Sequence, residues 1–323
     1  MIPRLSKVEP AQGRYLAFLE TLGQQGFQGE IRSDYGTRLV QSTDNSIYQI
    51  LPQAAVFPIN KSDLKILLKL AAHEKYRDIR FAPRGGGTGT NGQSLTDGII
   101  IDCSRHMNDI RELNLEQGWV KVGPGVVLDQ LNDFLRPYGV FFAPNLSPSS
   151  RATLGGMINT DACGKGSRVY GRTSDHLLEL SCLLSNGEDL HSVPLNPKEL
   201  TDWKEASGRT GEVYRVVDEI VCRQAELIEE IFPKMSRFMT GYNLARVYSN
   251  DQRPVFNLNY LLAGSEGTLA VVHEAKLRLT PLPAFQELIV VKYESFDDAL
   301  RAAGILVQSD PTAIETVDEK ILG

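Results

Sequence analysis

Residues 84–94 read Arg84-Gly85-Gly86-Gly87-Thr88-Gly89-Thr90-Asn91-Gly92-Gln93-Ser94, five glycines in eleven positions. A stretch so poor in side chains adds nothing to a core, and fixing its backbone costs more entropy than any other composition would. Something must compensate. Bare backbone N–H groups converging on an anion, with no Cβ in the way, can do so, helped by the hydroxyls of Thr88, Thr90 and Ser94. The stretch lies between two apolar runs, Ile79-Arg80-Phe81-Ala82 and Gly98-Ile99-Ile100-Ile101-Asp102. It is therefore expected to be a diphosphate-binding loop joining two strands, with a bland mobile turn as the alternative.

The same glycines spell G-x-G-x-x-G at Gly87, Gly89 and Gly92. A Rossmann fingerprint must open a helix and be followed about 20 positions on by an acidic residue. Here residues 93–97 alone separate the last glycine from the next strand, so backbone amides, not a helix dipole, would hold the phosphates. Gly164-Lys165-Gly166-Ser167 misses the P-loop pattern, lacking its leading glycine and a Ser or Thr directly after the lysine.

With 323 residues, the chain has room for one large domain or two, with an ample core. Its net charge of −6 argues against a nucleic-acid surface, which needs clustered excess Lys and Arg. Cys103, Cys163, Cys182 and Cys222 are dispersed without a Cys-x-x-Cys pair, so neither a zinc knuckle nor an iron–sulfur ligand run is present. Reduced thiols of a cytosolic protein are expected. No run reaches the roughly 18 apolar residues of a membrane span, and the first residues lack a signal-peptide apolar core. The expectation is a cytoplasmic protein, with peripheral contact to the inner membrane left open. His73, His106, His176, His191 and His273 share no metal spacing, so no metal site is expected. His176 stands out only because it follows a long small-residue segment.

Periodicity divides the chain into an N-terminal arm, a central region of two parts and a C-terminal unit. Residues 1–45 form an N-terminal helical arm, with Tyr15, Leu16, Phe18, Leu19 and Leu22 at helical spacing. Residues 46–105 give a strand at Val56-Phe57-Pro58-Ile59, then a helix capped by Ser62 or Asp63 with Leu64, Leu67, Leu68 and Ala71 on one face. The two strands around the glycine loop follow, the loop leaving the middle strand of the three. Residues 106–283 are strand-rich. They hold strands at 110–115 and 119–123, a helix with Leu128, Leu131, Phe134 and Leu135, and a hairpin turning at Asn186-Gly187. One long amphipathic helix at 210–230 and strands at 256–262 and 269–279 complete them. Beyond Pro281-Leu282-Pro283, a strand at 288–292, a helix at 296–307 and a strand from Ala313 make the first βαβ of a further domain. Such a unit is expected to continue in a longer chain.

Two more stretches carry chemistry. Small residues dominate 143–164, including Pro144, Ser149, Thr153, Gly155, Gly156, Asn159 and Gly164. A planar ring stacked on backbone needs such a surface, although a tightly packed structural loop would look the same. Ala263-Gly264-Ser265-Glu266-Gly267-Thr268-Leu269 either brings backbone close to the same ligand or is an isolated turn.

In this order, Arg-Gly-Gly-Gly-Thr at 84–88, Thr-Leu-Gly-Gly-Met-Ile at 153–158, Tyr170-Gly171 with His176 downstream, Gly241-Tyr242-Asn243-Leu244 and Gly-Ser-Glu-Gly-Thr-Leu at 264–269 form a resemblance. They resemble the FAD-binding domain of the vanillyl-alcohol oxidase and p-cresol methylhydroxylase (PCMH-type) flavoproteins. Within that family they are most similar to the D-lactate, glycolate and D-2-hydroxyglutarate dehydrogenase branch. The resemblance implies an α+β fold of two subdomains, about 46–105 and 106–283, and the start of an α+β substrate (cap) domain at 284–323. It implies FAD, with the diphosphate on Arg84, Gly85, Gly86, Gly87, Thr88 and Gly89. The flavin edge would lie on Pro144, Ser149, Thr153, Gly155, Gly156, Asn159 and Gly164, and Glu266 and Gly267 would make a third contact.

The activity implied is that of an FAD-linked oxidoreductase acting on CH–OH groups, which takes a small D-2-hydroxy acid (D-2-hydroxyglutarate, D-lactate or glycolate) to the 2-oxo acid by hydride transfer to flavin N5. The base and the carboxylate-binding cations belong to the substrate domain in this family, so no catalytic residue is assigned here. The electron acceptor and oligomeric state stay unassigned. A non-catalytic FAD-binding, electron-transfer subunit is the alternative. The N-terminal arm and the insertion before Gly241 resemble large bacterial members with a C-terminal iron–sulfur module; a 4Fe-4S cluster is expected only if the natural chain continues beyond Gly323. Two positions depart from the family pattern, Asp161 for Asn and Cys163 for Gly, which puts the contacts there in doubt. Members that tether FAD covalently through this loop carry His after Arg-x-Gly-Gly. Gly87 and Thr88 stand there instead, so the expected FAD is non-covalent.

Overall fold

The computed structural model describes residues 10–235, 241–249, 254–318 and 320. In the first unit α1 (Gly13–Gln24) buries Tyr15, Phe18, Leu19 and Leu22, the face set by its periodicity. Phe18 meets Tyr76 edge-on at 5.2 Å. Each such side chain contributes roughly 1.5–3 kcal/mol on burial. β1 (Glu30–Arg32), α2 (Tyr35–Val40), β2 (Ala54–Phe57), α3 (Lys61–Ala71), β3 (Phe81–Arg84) and β4 (Ile99–Asp102) follow. Their four-stranded sheet has the order β1-β2-β4-β3, with β2 and β3 parallel to β4 and β1 antiparallel to β2. The segment read as an N-terminal arm thus supplies a core helix and a strand.

The glycine loop leaves an edge strand, not a middle one. The chain between β3 and β4 crosses back and sets β4 between β2 and β3, where Ile99, Ile100 and Ile101 are fully buried, as an interior parallel strand requires. Asn60 caps α3, accepting from the amide of Asp63 at 3.1 Å. The Asp63 carboxylate is buried and accepts from the amides of Gln28 (2.8 Å) and Ile59 (2.9 Å).

The second unit runs β5 (Ile110–Asn114), β6 (Trp119–Val122), α4 (Leu128–Leu135), β7 (Val140–Phe141), α5 (Leu154–Asn159), α6 (Ser167–Tyr170), β8 (Leu177–Leu183) and β9 (Asp189–Ser192). It continues through α7 (Pro197–Lys204), α8 (Gly208–Arg223), α9 (Ala225–Ile231), α10 (Asn259–Leu262), β10 (Val271–Arg278) and β11 (Thr280–Pro281), which pairs with β7. Its antiparallel sheet has the order β5-β6-β10-β8-β9. Because β10 enters the middle of this sheet from far along the chain, the turn before it lands beside α5. The single helix expected at 210–230 is two, broken at Gln224 with φ −106° and ψ 19°. The strand expected at 256–262 is absent. Phe256 makes only isolated bridges, to Leu195 and Tyr248, and α10 follows. A short apolar run does not distinguish a strand from a buried helical turn.

The two units share a core boundary, since Leu183 of β8 and Val271 of β10 pack in the first unit's cluster. Past β11, α11 (Phe296–Leu306) is capped by the Ser295 hydroxyl and buries no residue. No strand flanks it among the described residues. Leu288 is 85% exposed and Ile289 81%; these strand-forming residues have no ladder partner.

Candidate functional site

A cleft of about 260 Å³ lies between the units. It is walled by the glycine loop, by α5 with the turn leading into it, and by the turn before β10. Arg84, Gly85, Gly86, Gly87, Thr88, Gly89, Thr153, Gly155, Gly156, Asn159, Glu266 and Gly267 all line it. Pro144, Ser149 and Gly164 do not. Pro144 is buried, the Ser149 carbonyl accepts from the amide of Asp129 at 3.2 Å, and a Cβ on Gly164 would come within 2.3 Å of the Asn145 carbonyl. Leu146 and Pro148, inside the 143–164 stretch, line the cleft too, and so do Pro124, Val271 and Val272, which escaped sequence reasoning. Only Pro124 carried a signal, in a Gly-Pro-Gly turn facing a helix start.

None of the backbone amides of residues 85–90 donates a hydrogen bond to a described residue. Polar backbone at a cleft wall is satisfied by something, and a run of such amides is an anion cradle. The glycines serve a second purpose as well. A Cβ on Gly85 would come within 2.0 Å of Thr153 Oγ1, and one on Gly86 within 1.9 Å of the Arg151 carbonyl oxygen. Lack of side chains thus lets the loop lie directly on the α5 lead-in. Gly87 has φ 63°, and its Cβ position is taken by the Arg84 guanidinium at 2.6 Å. That guanidinium donates to the Thr43 carbonyl at 2.6 Å and to Ser94 Oγ at 3.3 Å. Burial pulls the Arg84 pKa down, opposed by Asp102 and Asp44.

Thr153 caps α5, its Oγ1 accepting from the Gly156 amide at 3.4 Å. Gly155 donates to the Pro124 carbonyl at 2.8 Å. Asn159 is a tie between walls. Its Nδ2 donates to the Gly155 carbonyl at 2.8 Å, its Oδ1 accepts from the Gly267 amide at 3.0 Å, and its carbonyl accepts from the Glu266 amide at 2.8 Å. Glu266 sits at φ 51°, and burial raises its carboxyl pKa.

The two departures from the family pattern have structural counterparts. Asp161, at φ 46°, accepts from the Ser174 amide at 2.8 Å. It pairs with Arg172 at 3.3 Å, and both side chains are less than a tenth exposed. The carboxylate is thus a buried counter-ion. Cys163 is buried. His176 lies outside the cleft, donating from Nε2 to the Tyr170 carbonyl at 2.7 Å. Cys103 does line the cleft, and burial pushes its thiol up to about 12. No cluster of metal-ligating side chains occurs among the described residues.

The cleft therefore offers a row of amides that donate to no described residue and a wall of small residues, with Arg84 and Glu266 as the charged side chains among the described residues that line it. A diphosphate and a planar ring joined to it through a ribityl chain are two parts of FAD, and the residues present fit that group. Residues 52–192 match the FAD binding domain family. The chain is 54% identical to a D-2-hydroxyglutarate dehydrogenase of Pseudomonas putida over 322 residues, 100% of this chain and 32% of that protein. A D-2-hydroxyglutarate dehydrogenase of Escherichia coli is 52% identical over 323 residues, again 100% of this chain and 32% of the relative. The chain thus spans about a third of the length of the curated relatives it matches. Among solved structures, an alkyldihydroxyacetonephosphate synthase superposes with a TM-score of 0.65 at 18% identity, covering 95% of this chain and 48% of that one. The fold is accordingly the PCMH-type FAD-binding fold. Among the described residues no helix is long and apolar enough to cross a membrane.

Proposed function

We propose that this chain is the cofactor-holding part, with residues 46–283 as its working unit, of a dehydrogenase that oxidises D-2-hydroxyglutarate or a closely related D-2-hydroxy acid to the 2-oxo acid. The observation that carries this reading is the extent of the similarity. Identity of 46–54% to D-2-hydroxyglutarate dehydrogenases runs over the whole chain, including segments outside the FAD binding domain. When bound, FAD supplies a two-electron acceptor for the hydride of the substrate's carbinol carbon. The amides of residues 85–90 and the Thr88 hydroxyl would bind the diphosphate. Thr153, Gly155 and Gly156 would back the ring, with Pro144, Ser149 and Gly164 shaping the turns behind them. Asn159, Glu266 and Gly267 would close the third side and exclude water.

The test is anaerobic addition of D-2-hydroxyglutarate, D-lactate and glycolate to the full-length flavoprotein. Bleaching of the visible flavin band by D-2-hydroxyglutarate supports the dehydrogenase. No bleaching by any of the three favours a non-catalytic electron carrier and overturns it.

A cytoplasmic location and non-covalent FAD belong to the same proposal. Gly87 and Thr88 stand where tethering members carry His, and no histidine lines the cleft among the described residues. Acid precipitation is expected to leave the flavin in the supernatant; yellow colour retained in the pellet would contradict this.

A further inference from the structure

We propose that the hairpin at residues 42–50 is a positioning clamp for the diphosphate loop, so that FAD retention depends on residues outside the FAD binding domain at 52–192. The inference rests on residues 85–90 being the diphosphate cradle.

Three hydrogen bonds and one ring contact join hairpin to loop. The Thr43 carbonyl accepts from Arg84 Nη2 at 2.6 Å, where the loop begins. The Asn45 amide donates to the Gly87 carbonyl at 3.0 Å, at the loop's left-handed turn. Asp44 Oδ2 accepts from Ser94 Oγ at 3.2 Å, where the loop ends. The Tyr48 ring lies against Gly92, where a Cβ would stand 3.0 Å from it.

The hairpin is itself stiff. Its ends are closed by the Ile50 amide on the Ser42 carbonyl at 2.9 Å and by a bridge between Thr43 and Gln49. The Ser46 amide donates to Asp44 Oδ1 at 2.8 Å. At its base, buried Gln41 donates to Asp102 Oδ2 at 2.9 Å, and Arg38 donates to the Pro52 carbonyl at 2.7 Å. Asp102 closes β4 and pairs in register with Arg84, so the base of the clamp is fixed on the strand beside the point where the loop begins.

A five-glycine loop has many conformations to lose, and a backbone cradle binds in proportion to how far that loss is settled before the ligand arrives. The clamp settles it at three points. It adds little to the core, since Ile47 at its tip is 94% exposed.

The experiment uses apoprotein of the full-length chain and three probes: FAD, ADP, which shares the diphosphate half, and riboflavin, which lacks it. Asp44→Ala is expected to weaken FAD and ADP each by about tenfold, the size of one lost hydrogen bond to a charged group. Riboflavin affinity and the melting temperature of the apoprotein should not move. Ser94→Ala should also weaken FAD and ADP, and the double variant should lose less than the sum of the two single losses, because both remove the bond between Ser94 and Asp44. Unchanged FAD affinity in both single variants overturns the clamp. An equal loss for riboflavin with a lowered apoprotein melting temperature does so as well, assigning the hairpin a purely structural part. If the unaltered protein binds FAD no better than riboflavin, the cradle itself is refuted, and the clamp with it.

Discussion

Gly86→Val should lower FAD affinity by at least ~100-fold while leaving secondary structure intact. The position tolerates no Cβ, because the atom it would meet, the Arg151 carbonyl oxygen at 1.9 Å, is backbone and cannot rotate away. Loop and α5 lead-in would have to part, turning the amides of residues 85–90 off their common centre. Overpacking of this kind costs about 1–3 kcal/mol, and more where backbone meets backbone. The strands on either side keep their ladder, β3 with β4 and β4 with β2, so the loss falls on the ligand. Flavin content of the purified variant, together with circular dichroism of the apoprotein, checks it. Normal flavin content would mean that the loop does not hold the cofactor.

Asp161→Ala should destabilise the folded apoprotein by about 3 kcal/mol, because it removes one member of a buried ion pair with Arg172. Two further costs act in the same direction. The Ser174 amide loses its acceptor, and alanine is strained at φ 46° by roughly 1–2 kcal/mol. Asp161→Asn restores the acceptor and tolerates the left-handed backbone, so it should fall between the two. Chemical denaturation of the three apoproteins gives the ranking. A loss below about 1 kcal/mol for Ala would show that the pair carries no more than an exposed one.

Much of the site could be read from residue types. Five glycines between two strands pointed to a loop that would present bare backbone, and their strand-to-strand setting separated it from a Rossmann turn. The ordered motifs at 84–88, 153–158 and 264–269 converge on one cleft. What escaped has physical causes. Sequence does not tell a glycine needed for close packing, such as Gly86 on Arg151, from one needed for ligand approach, and Gly155 against Pro124 is another of the first kind. The clamp works largely through the Thr43 carbonyl and the Asn45 amide, groups every residue has. Asp161 looked like a weakened cofactor contact because its partner Arg172 meets it only in the fold. The edge position of β3 and the insertion of β10 at the centre of the second sheet are long-range pairings that local periodicity does not encode. Asn60 displaced both expected caps of α3 because the Asp63 carboxylate is spent on Gln28 and Ile59.

The most direct measurement is a crystal structure of the full-length protein with FAD. The diphosphate oxygens should accept hydrogen bonds from the amides of residues 85–90, with the isoalloxazine ring against α5 and its lead-in. A diphosphate lying away from this loop, with those amides still uncommitted, would contradict the account.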